Sequence, residues 1–252
     1  MAVTIEDIKK LRHLTSAGLS DCKAALTETN GDMDAAVEIL RQKGKAIAAK
    51  REDRQASEGC VLADVKDNFA AIVALNCETD FVAKNATFVE LTKKLLALAL
   101  DNKVKSIDEL KALTIDGRTV AELVVEESGK TGEKTEISAY EYLEGASVTS
   151  YNHFGNKLST IVSFNLEGVD AQVMRDVAMQ VAAMNPVAVN REAVPQNIID
   201  SELSVAVEKT KEELVKKAVD AALHKAGINP NLVDSEDHIE SNMAKGWLTQ
   251  EE

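Results

Sequence analysis

Two strand-like apolar runs flank the polar turn Asp67-Asn68 in the stretch EGCVLADVKDNFAAIVALNC, residues 58–77. A pattern with helical spacing follows from Phe88 to Leu100. A lone β-hairpin is only marginally stable in water, so we expect this helix to cover one face of the hairpin. The stretch therefore predicts a hairpin–helix unit.

The same order of elements occurs a second time in the chain. Glu144-Gly145 opens the second unit as Glu58-Gly59 opens the first. Its two strand-like runs and its helical pattern lie at residues 148–151, 158–165 and 171–184. Between the two units, residues 106–109 and 120–127 indicate helices. An internal repeat of this kind predicts an α+β core made of two related hairpin–helix subdomains.

The N-terminal part of the chain predicts a small helical bundle. Residues 4–43 contain three short apolar patterns with helical spacing, and Gly44 is expected to end the third helix. About 40 residues in three short helices build a small core without room for a cleft. Such a bundle is typical of a protein-docking module.

The C-terminal part predicts a long helix. Residues 198–226 contain no Gly or Pro, and their apolar positions fall largely on one stripe, as in one arm of an antiparallel coiled coil. Residues 234–245 predict a further helix, and without a recognisable return arm we expect the coiled-coil region to be incomplete. The predicted parts are a three-helix docking module, a linker, two core subdomains and the coiled-coil region, at residues 1–44, 45–57, 58–140, 141–195 and 196–252.

The chain is acidic, with 29 Lys and Arg residues against 42 Asp and Glu residues and a formal net charge of −13. The first 54 residues hold 10 basic and 9 acidic side chains, so the remainder carries the negative charge. Nucleic-acid affinity depends on neutralising phosphates, which makes this chain a poor candidate for it. No apolar run approaches the roughly 20 residues of a membrane span. Three cysteines and no signal-peptide pattern indicate a cytoplasmic protein.

The sequence offers no convincing catalytic or metal-binding constellation. Its four histidines are scattered, and it contains neither an HExxH nor a CxxC motif. Gly129-Lys130-Thr131 resembles the end of a phosphate-binding loop, but Val124 stands where that motif requires glycine. We therefore expect no enzyme, no cofactor, no metal site and no direct nucleotide binding. A cysteine nucleophile at Cys60 or Cys77 stays open as an alternative, although burial is the commoner fate of such residues.

The junction between the first hairpin and its helix reads NCETDFVAKN, residues 76–85. Thr79 or Asp80 is expected to cap the following helix, which places Phe81 in the first turn. The matching junction of the second unit, residues 167–170, lacks Thr-Asp-Phe, so the fold itself does not require it. Two interpretations stay open: an N-cap with an ordinary core phenylalanine, or an acidic-aromatic wedge that inserts into a partner. We call residues 79–82 the wedge segment.

Three motifs carry a resemblance to a known family: LRHLTSAGLSDCKAAL at residues 11–26, TDFVAK at residues 79–84 and SYNH at residues 150–153. Together with the repeat they resemble the bacterial elongation factor Ts family, the guanine-nucleotide exchange factors of the translation GTPase elongation factor Tu. The resemblance covers residues 4 to about 226. It implies a three-helix bundle of the ubiquitin-associated type, a core of two hairpin–helix subdomains and a protruding coiled coil.

The resemblance also implies a mechanism and a set of contacts. Asp80 and Phe81 would enter the GTPase domain of GDP-bound elongation factor Tu, disturb its Mg²⁺ and phosphate site and accelerate GDP release. Thr79 and Val82 would complete the wedge. The docking residues that the resemblance implies are Leu11, Thr15, Gly18, Leu19, Ile137 and His153. Ser138-Ala139 replace a basic pair that is usual in the family.

The alternative function is a protein-docking adaptor built on the ubiquitin-associated-like module, without exchange activity. Such an adaptor would bind a partner without changing how fast a nucleotide leaves it. The rate of nucleotide release is therefore the property that separates the two functions.

Overall fold

The computed structural model describes residues 3–15 and 17–232, together with positions 239, 243 and 245. These residues form an α+β protein of helices and small antiparallel sheets. The chain divides into two compact units, residues 1–185 and residues 186–252. Every strand of the described residues belongs to the first unit.

The first unit begins with three helices, α1 (Ile5–Thr15), α2 (Leu19–Glu28) and α3 (Met33–Lys50). They surround a small core of their own, which contains Leu11, Cys22, Ala25, Leu26 and Ala36. Asp32 caps α3, since its side chain accepts a hydrogen bond from the Ala35 amide at 3.0 Å. The expected helix end at Gly44 is wrong, because α3 continues without interruption to Lys50.

Gly44 is buried because α3 crosses another helix at this point. It lies against Gly129 of α7 (Val120–Thr131), and a Cβ atom built on Gly129 overlaps the backbone of Gly44. Without Cβ atoms at the crossing, the two helix backbones can approach closely. Gly129 thus has a packing role that joins the N-terminal bundle to the rest of the first unit.

We predict that Gly129→Ala lowers the free energy of unfolding by about 1–3 kcal/mol, because its methyl group overpacks the crossing. Helix propensity alone predicts the opposite sign, a gain of about 1 kcal/mol. Gly44→Ala is the matched control, since a Cβ atom there lies 3.4 Å from the Gly129 Cα atom, an ordinary contact. Urea unfolding followed by circular dichroism measures both variants. A Gly129→Ala protein more stable than the wild type contradicts the crossing.

The first hairpin lies at the centre of the main core. β1 (Glu58–Lys66) and β2 (Phe69–Cys77) pair antiparallel, and the short helix α4 (Asp80–Ala83) follows. Helix α5 (Ala86–Asp101) packs on the hairpin. The fully buried side chains of this core include Phe69, Val73, Leu75, Phe88 and Leu95. The predicted hairpin and its helix are confirmed.

Short elements connect this hairpin to the rest of the sheet. They are α6 (Ile107–Ala112), β3 (Thr114–Ile115), β4 (Arg118–Thr119) and α7. Ser106 caps α6 by accepting a hydrogen bond from the Glu109 amide at 3.1 Å. Thr119 and Glu122 form a capping box at the start of α7. Both helices that the sequence predicts between the two units are confirmed.

A third strand, which the sequence did not predict, completes the main sheet. β5 (Glu136–Glu144) pairs antiparallel with β2 and gives the strand order β1-β2-β5. The register shifts between Ala74 and Leu75, so Ser138 is an extra residue that bulges out of β5. The bulge breaks the alternation of apolar and polar residues, which explains why periodicity does not reveal this strand.

The second hairpin, β6 (Ser147–Asn152) and β7 (Ser159–Phe164), forms a separate sheet on which α8 (Ala171–Met184) packs. These elements match the predicted ranges closely. The Asn152 side chain exchanges two 2.8 Å hydrogen bonds with the backbone of Ala63 in β1. The Val61 amide donates to the Asn156 carbonyl at 2.7 Å. Backbone groups that an edge strand leaves open are satisfied in this way.

The second unit contains the long helix α9 (Gln196–Ala226), which ends at Gly227 in the left-handed conformation. The prediction of a long helix is confirmed. The helix is less strictly amphipathic than predicted, because Val205 and Val219 are exposed on the side away from Leu203.

The helix predicted at residues 234–245 lies outside the described residues, apart from isolated positions. Where the structure describes the chain, it contains no helix long and apolar enough to cross a membrane.

Candidate functional site

The wedge segment forms a tight turn between β2 and α5. Thr79 occupies the N-cap position of α4, and Asn85 caps α5 by accepting a hydrogen bond from the Thr87 amide at 3.0 Å. The Phe81 side chain is 84% exposed. The interpretation of Phe81 as a core residue is therefore wrong, and its ring is available to another molecule.

The inner side of α4 is anchored although its outer side is exposed. Ala83 is buried, and the half-buried Val82 packs against the main core. The helix has only four residues. A helix this short is not stable by itself in water. Its conformation therefore depends on these anchors and on the loop that lies beside it.

Glu133, in the loop after α7, holds the base of the wedge segment. Its Oε2 accepts hydrogen bonds from the Glu78 and Thr79 amides at 3.1 and 3.0 Å. Its Oε1 accepts a hydrogen bond from the Thr79 hydroxyl at 2.6 Å. Thr79 thus stands at the N-cap position but makes no side-chain capping bond, which corrects that part of the sequence prediction.

Glu78 in turn binds the loop that contains Glu133. Glu78 Oε1 accepts a hydrogen bond from the Lys134 amide at 2.7 Å, and Glu78 Oε2 lies 3.0 Å from Arg51 Nη1. The bond from Lys134, aided by Arg51, holds the pKa of Glu78 below its ordinary value. We call Glu78, Thr79, Glu133 and Lys134 the clasp. Sequence reasoning missed Glu133 because it lies 54 residues from Thr79.

Asp80 is ionised at neutral pH and accessible. Its Oδ2 lies 2.6 Å from Lys84 Nζ, and this hydrogen bond, with the charges of Lys84 and Lys157, lowers the pKa of Asp80. Both side chains of the ion pair are well exposed, so the pair contributes little stability. Asp80 can therefore exchange Lys84 for another partner, and it offers a negative charge directly beside the Phe81 ring.

A second exposed aromatic side chain lies at the turn of the β6–β7 hairpin. Phe154 is 98% exposed, and the adjacent His153 is also exposed, with its Nδ1 atom 2.9 Å from the Tyr151 hydroxyl. Sequence reasoning named His153 but missed Phe154. An aromatic residue followed by Gly155-Asn156 in a predicted turn was the available signal.

The tip of the second hairpin lies close to the wedge segment. Lys157 Nζ binds Glu58 Oε2 at 2.6 Å, and its positive charge also lowers the pKa of Asp80. The two exposed aromatic side chains are thus carried by turns that share a charged neighbour.

The other residues that the sequence predicted for docking differ in their exposure. Gly18 and Leu19 are exposed at the start of α2. Leu11 and Ile137 are buried in the bundle core and the main core, so their side chains offer no surface to a partner. Thr15 is half-buried, and its hydroxyl donates to the Leu11 carbonyl at 2.8 Å.

The thiols near the wedge segment are buried. Burial, and then the charge of Glu133, raises the pKa of Cys77 to about 11, and burial also raises the pKa of Cys60. A buried, protonated thiol is a poor nucleophile, which disfavours the cysteine alternative. Over the part of the chain that the structure describes, no group of three or more His, Cys, Asp or Glu side chains could hold a metal ion.

We predict that iodoacetamide leaves Cys60 and Cys77 of the native protein unmodified at neutral pH, because both thiols are buried and protonated. Mass spectrometry of digested samples measures the modification, and both residues should react once the protein is denatured. Fast modification of native Cys77 would contradict its burial.

Comparisons with known proteins agree on one family. The sequence profile described as Elongation factor TS matches residues 78–226. Elongation factor Ts of Bacteroides fragilis is 57% identical over 253 residues, which cover 100% of this chain and 76% of that protein. Elongation factor Ts of Porphyromonas gingivalis is 56% identical over 231 residues, covering 89% of this chain and 84% of that protein. Elongation factor Ts of Azobacteroides pseudotrichonymphae is 50% identical over 230 residues, covering 89% of this chain and 84% of that protein.

The matched range contains the wedge segment, the second hairpin and α9. These matches identify the chain as a translation elongation factor. It belongs to the elongation factor Ts family.

Proposed function

We propose that this chain binds the GDP-bound form of elongation factor Tu and accelerates the release of GDP, so that GTP can replace it. The observation that carries the proposal is the exposed Asp80–Phe81 pair on an anchored turn. Burial of the Phe81 ring in a partner contributes roughly 1.5–3 kcal/mol. That free energy is available only on binding, because the ring is exposed in the free protein.

Insertion of the wedge segment is the central step of the proposed mechanism. Phe81 parts two helices of the GTPase domain near the bound Mg²⁺ and, with Asp80 beside it, shifts the loop that holds the phosphates. Mg²⁺ neutralises the charge of the diphosphate, so GDP leaves faster when its contacts are lost. The chain and GDP weaken each other's binding by the same factor, because the coupling of two sites is reciprocal.

Two further surfaces complete the proposed docking. Gly18 and Leu19 of the N-terminal bundle contact the same GTPase domain, and His153 and Phe154 contact another domain of the partner. Leu11 and Ile137 support these surfaces from within the two cores. In this proposal the chain acts in the cytoplasm as a binding protein and not as an enzyme, and it binds no nucleotide itself.

The second candidate function is a protein-docking adaptor that binds through the N-terminal bundle alone. Two exposed leucines favour this candidate. Leu14 and Leu19 are 60% and 51% exposed, and they offer an apolar contact near the connection between α1 and α2. This candidate predicts binding without faster nucleotide release, and it gives Phe81 no role.

We predict that Phe81→Ala and Asp80→Ala each slow saturating GDP release from elongation factor Tu by about tenfold to a hundredfold. The estimate for Phe81 follows from a loss of roughly 1.5–3 kcal/mol, with about 1.4 kcal/mol for each factor of ten. Stopped-flow fluorescence of labelled GDP measures the release, and thermal unfolding should change little because both side chains are accessible.

Matched controls test whether the effect belongs to the wedge segment. Val173→Ala removes another exposed apolar side chain, and Asp101→Asn removes another exposed ion pair, with Lys66. Both controls should release GDP as the wild type does. Unchanged release in both wedge variants would show that the wedge assignment is wrong.

We predict that Phe154→Ala raises the chain concentration for half-maximal release by about tenfold and leaves the saturating rate close to that of the wild type. The reason is that Phe154 contributes to docking and not to insertion, so its loss weakens binding before and during release alike. The same stopped-flow titration measures both quantities. A lower plateau at unchanged half-saturation would contradict this role.

A further inference from the structure

The clasp joins two parts of the first unit that the proposed function uses for different contacts. On one side of it lies the wedge segment. On the other side lies Arg51, the C-cap residue of α3 at the end of the three-helix bundle. Arg51 Nη1 lies 3.1 and 3.0 Å from the two carboxylate oxygens of Glu78. The Arg51 side chain therefore connects the bundle directly to the clasp.

Glu133 is the member of the clasp on which the wedge segment depends most directly. Three donors from Glu78 and Thr79 converge on its two oxygens at 2.6–3.1 Å. Hydrogen bonds to an ionised acceptor are roughly twice as strong as neutral ones. Without the carboxylate these donors lose their partner at the residues that lead into Asp80, and α4 is too short to keep its direction alone.

A second connection, through α7, joins the bundle to the loop that contains Glu133. Gly44 of α3 lies against Gly129 of α7, and Gly132 then turns the chain into the Glu133 loop with a φ of 71°. The bundle thus binds the clasp directly through Arg51 at Glu78, and it also packs on α7, the helix that leads into Glu133. A link through two packed helices and an ion pair holds the wedge segment at a set distance from the bundle surface.

We propose that Glu133 is a positioning residue that sets the direction of Asp80 and Phe81, and that Arg51 extends this control to the three-helix bundle. The consequence for GDP release rests on the proposed function. Docking of the bundle brings Phe81 to its entry point already oriented, so insertion loses less conformational freedom. Positioning of this kind raises the saturating rate and leaves the docking affinity nearly unchanged.

Release of fluorescent GDP from elongation factor Tu tests the proposal with four single variants and one double variant of the full chain. Glu133→Gln and Thr79→Val each reduce the saturating rate by about tenfold, with little change in half-saturation. Thr79→Ser keeps the hydroxyl and restores most of the rate. Glu136→Gln is the matched control, since it removes a nearby carboxylate that pairs with Lys134 Nζ at 3.2 Å. Combining Glu133→Gln with Thr79→Val is no slower than the slower single variant, because the hydroxyl bond that Thr79→Val removes is one of the three bonds that Glu133→Gln weakens.

A second measurement needs no partner. Amide hydrogen exchange, followed by NMR on the free chain, is about tenfold faster at Glu78 and Thr79 in Glu133→Gln, and unchanged in the middle of α5. Arg51→Gln accelerates the same amides by a smaller factor. In the Arg51→Gln/Glu133→Gln double variant the two effects on amide hydrogen exchange are not additive, because both substitutions loosen the same clasp.

The outcomes separate the two proposals. A wild-type chain that does not accelerate GDP release overturns the proposed function, and hydrogen exchange still decides the positioning role. If Glu133→Gln shows the amide hydrogen exchange and the GDP release of the wild type, the positioning role is overturned. Faster exchange throughout the first unit, with equal loss of rate and affinity, also overturns it, because Glu133 is then only structural. Additive effects of Arg51→Gln and Glu133→Gln overturn the link to the bundle.

Discussion

Three hydrogen-bond donors converge on the Glu133 carboxylate, and this contact holds in place the turn that carries the exposed Phe81 ring. Phe81 gains nothing from burial in the free protein, so the turn cannot be stabilised by its own aromatic side chain. Its stability comes instead from the polar clasp on one side and from Val82 and Ala83 in the main core on the other. The turn can therefore keep an apolar ring in water without losing its shape.

The distribution of the phenylalanines separates the core from the proposed contact surface. Phe69 and Phe88 are fully buried, whereas Phe81 and Phe154 are 84% and 98% exposed. Single exposed apolar residues are ordinary on protein surfaces. Two exposed aromatic side chains on neighbouring turns are instead typical of the anchors through which a protein binds a partner. In a chain with only five phenylalanines, this placement supports a binding function for that side of the core.

Local sequence patterns predicted the elements that local interactions determine: both hairpins, their helices and the long helix α9. The sequence did not predict the features that depend on contacts between residues far apart in the chain. Gly44 reads as a helix end, but it is a crossing point whose partner lies in α7. β5 is hidden by the bulge at Ser138, and Glu133 belongs to the candidate site only because folding brings it to Thr79. The motif marked Phe81 as unusual, but whether its ring faces the core or the solvent depends on tertiary packing.

Stopped-flow release of fluorescent GDP from elongation factor Tu, measured over a range of chain concentrations, tests the central claim most directly. We expect the release rate to rise with concentration to a plateau well above the spontaneous rate, and excess GDP to weaken the affinity of the chain for its partner by the reciprocal factor. A chain that binds elongation factor Tu but leaves the rate of GDP release at its spontaneous value would contradict the claim and favour a docking adaptor.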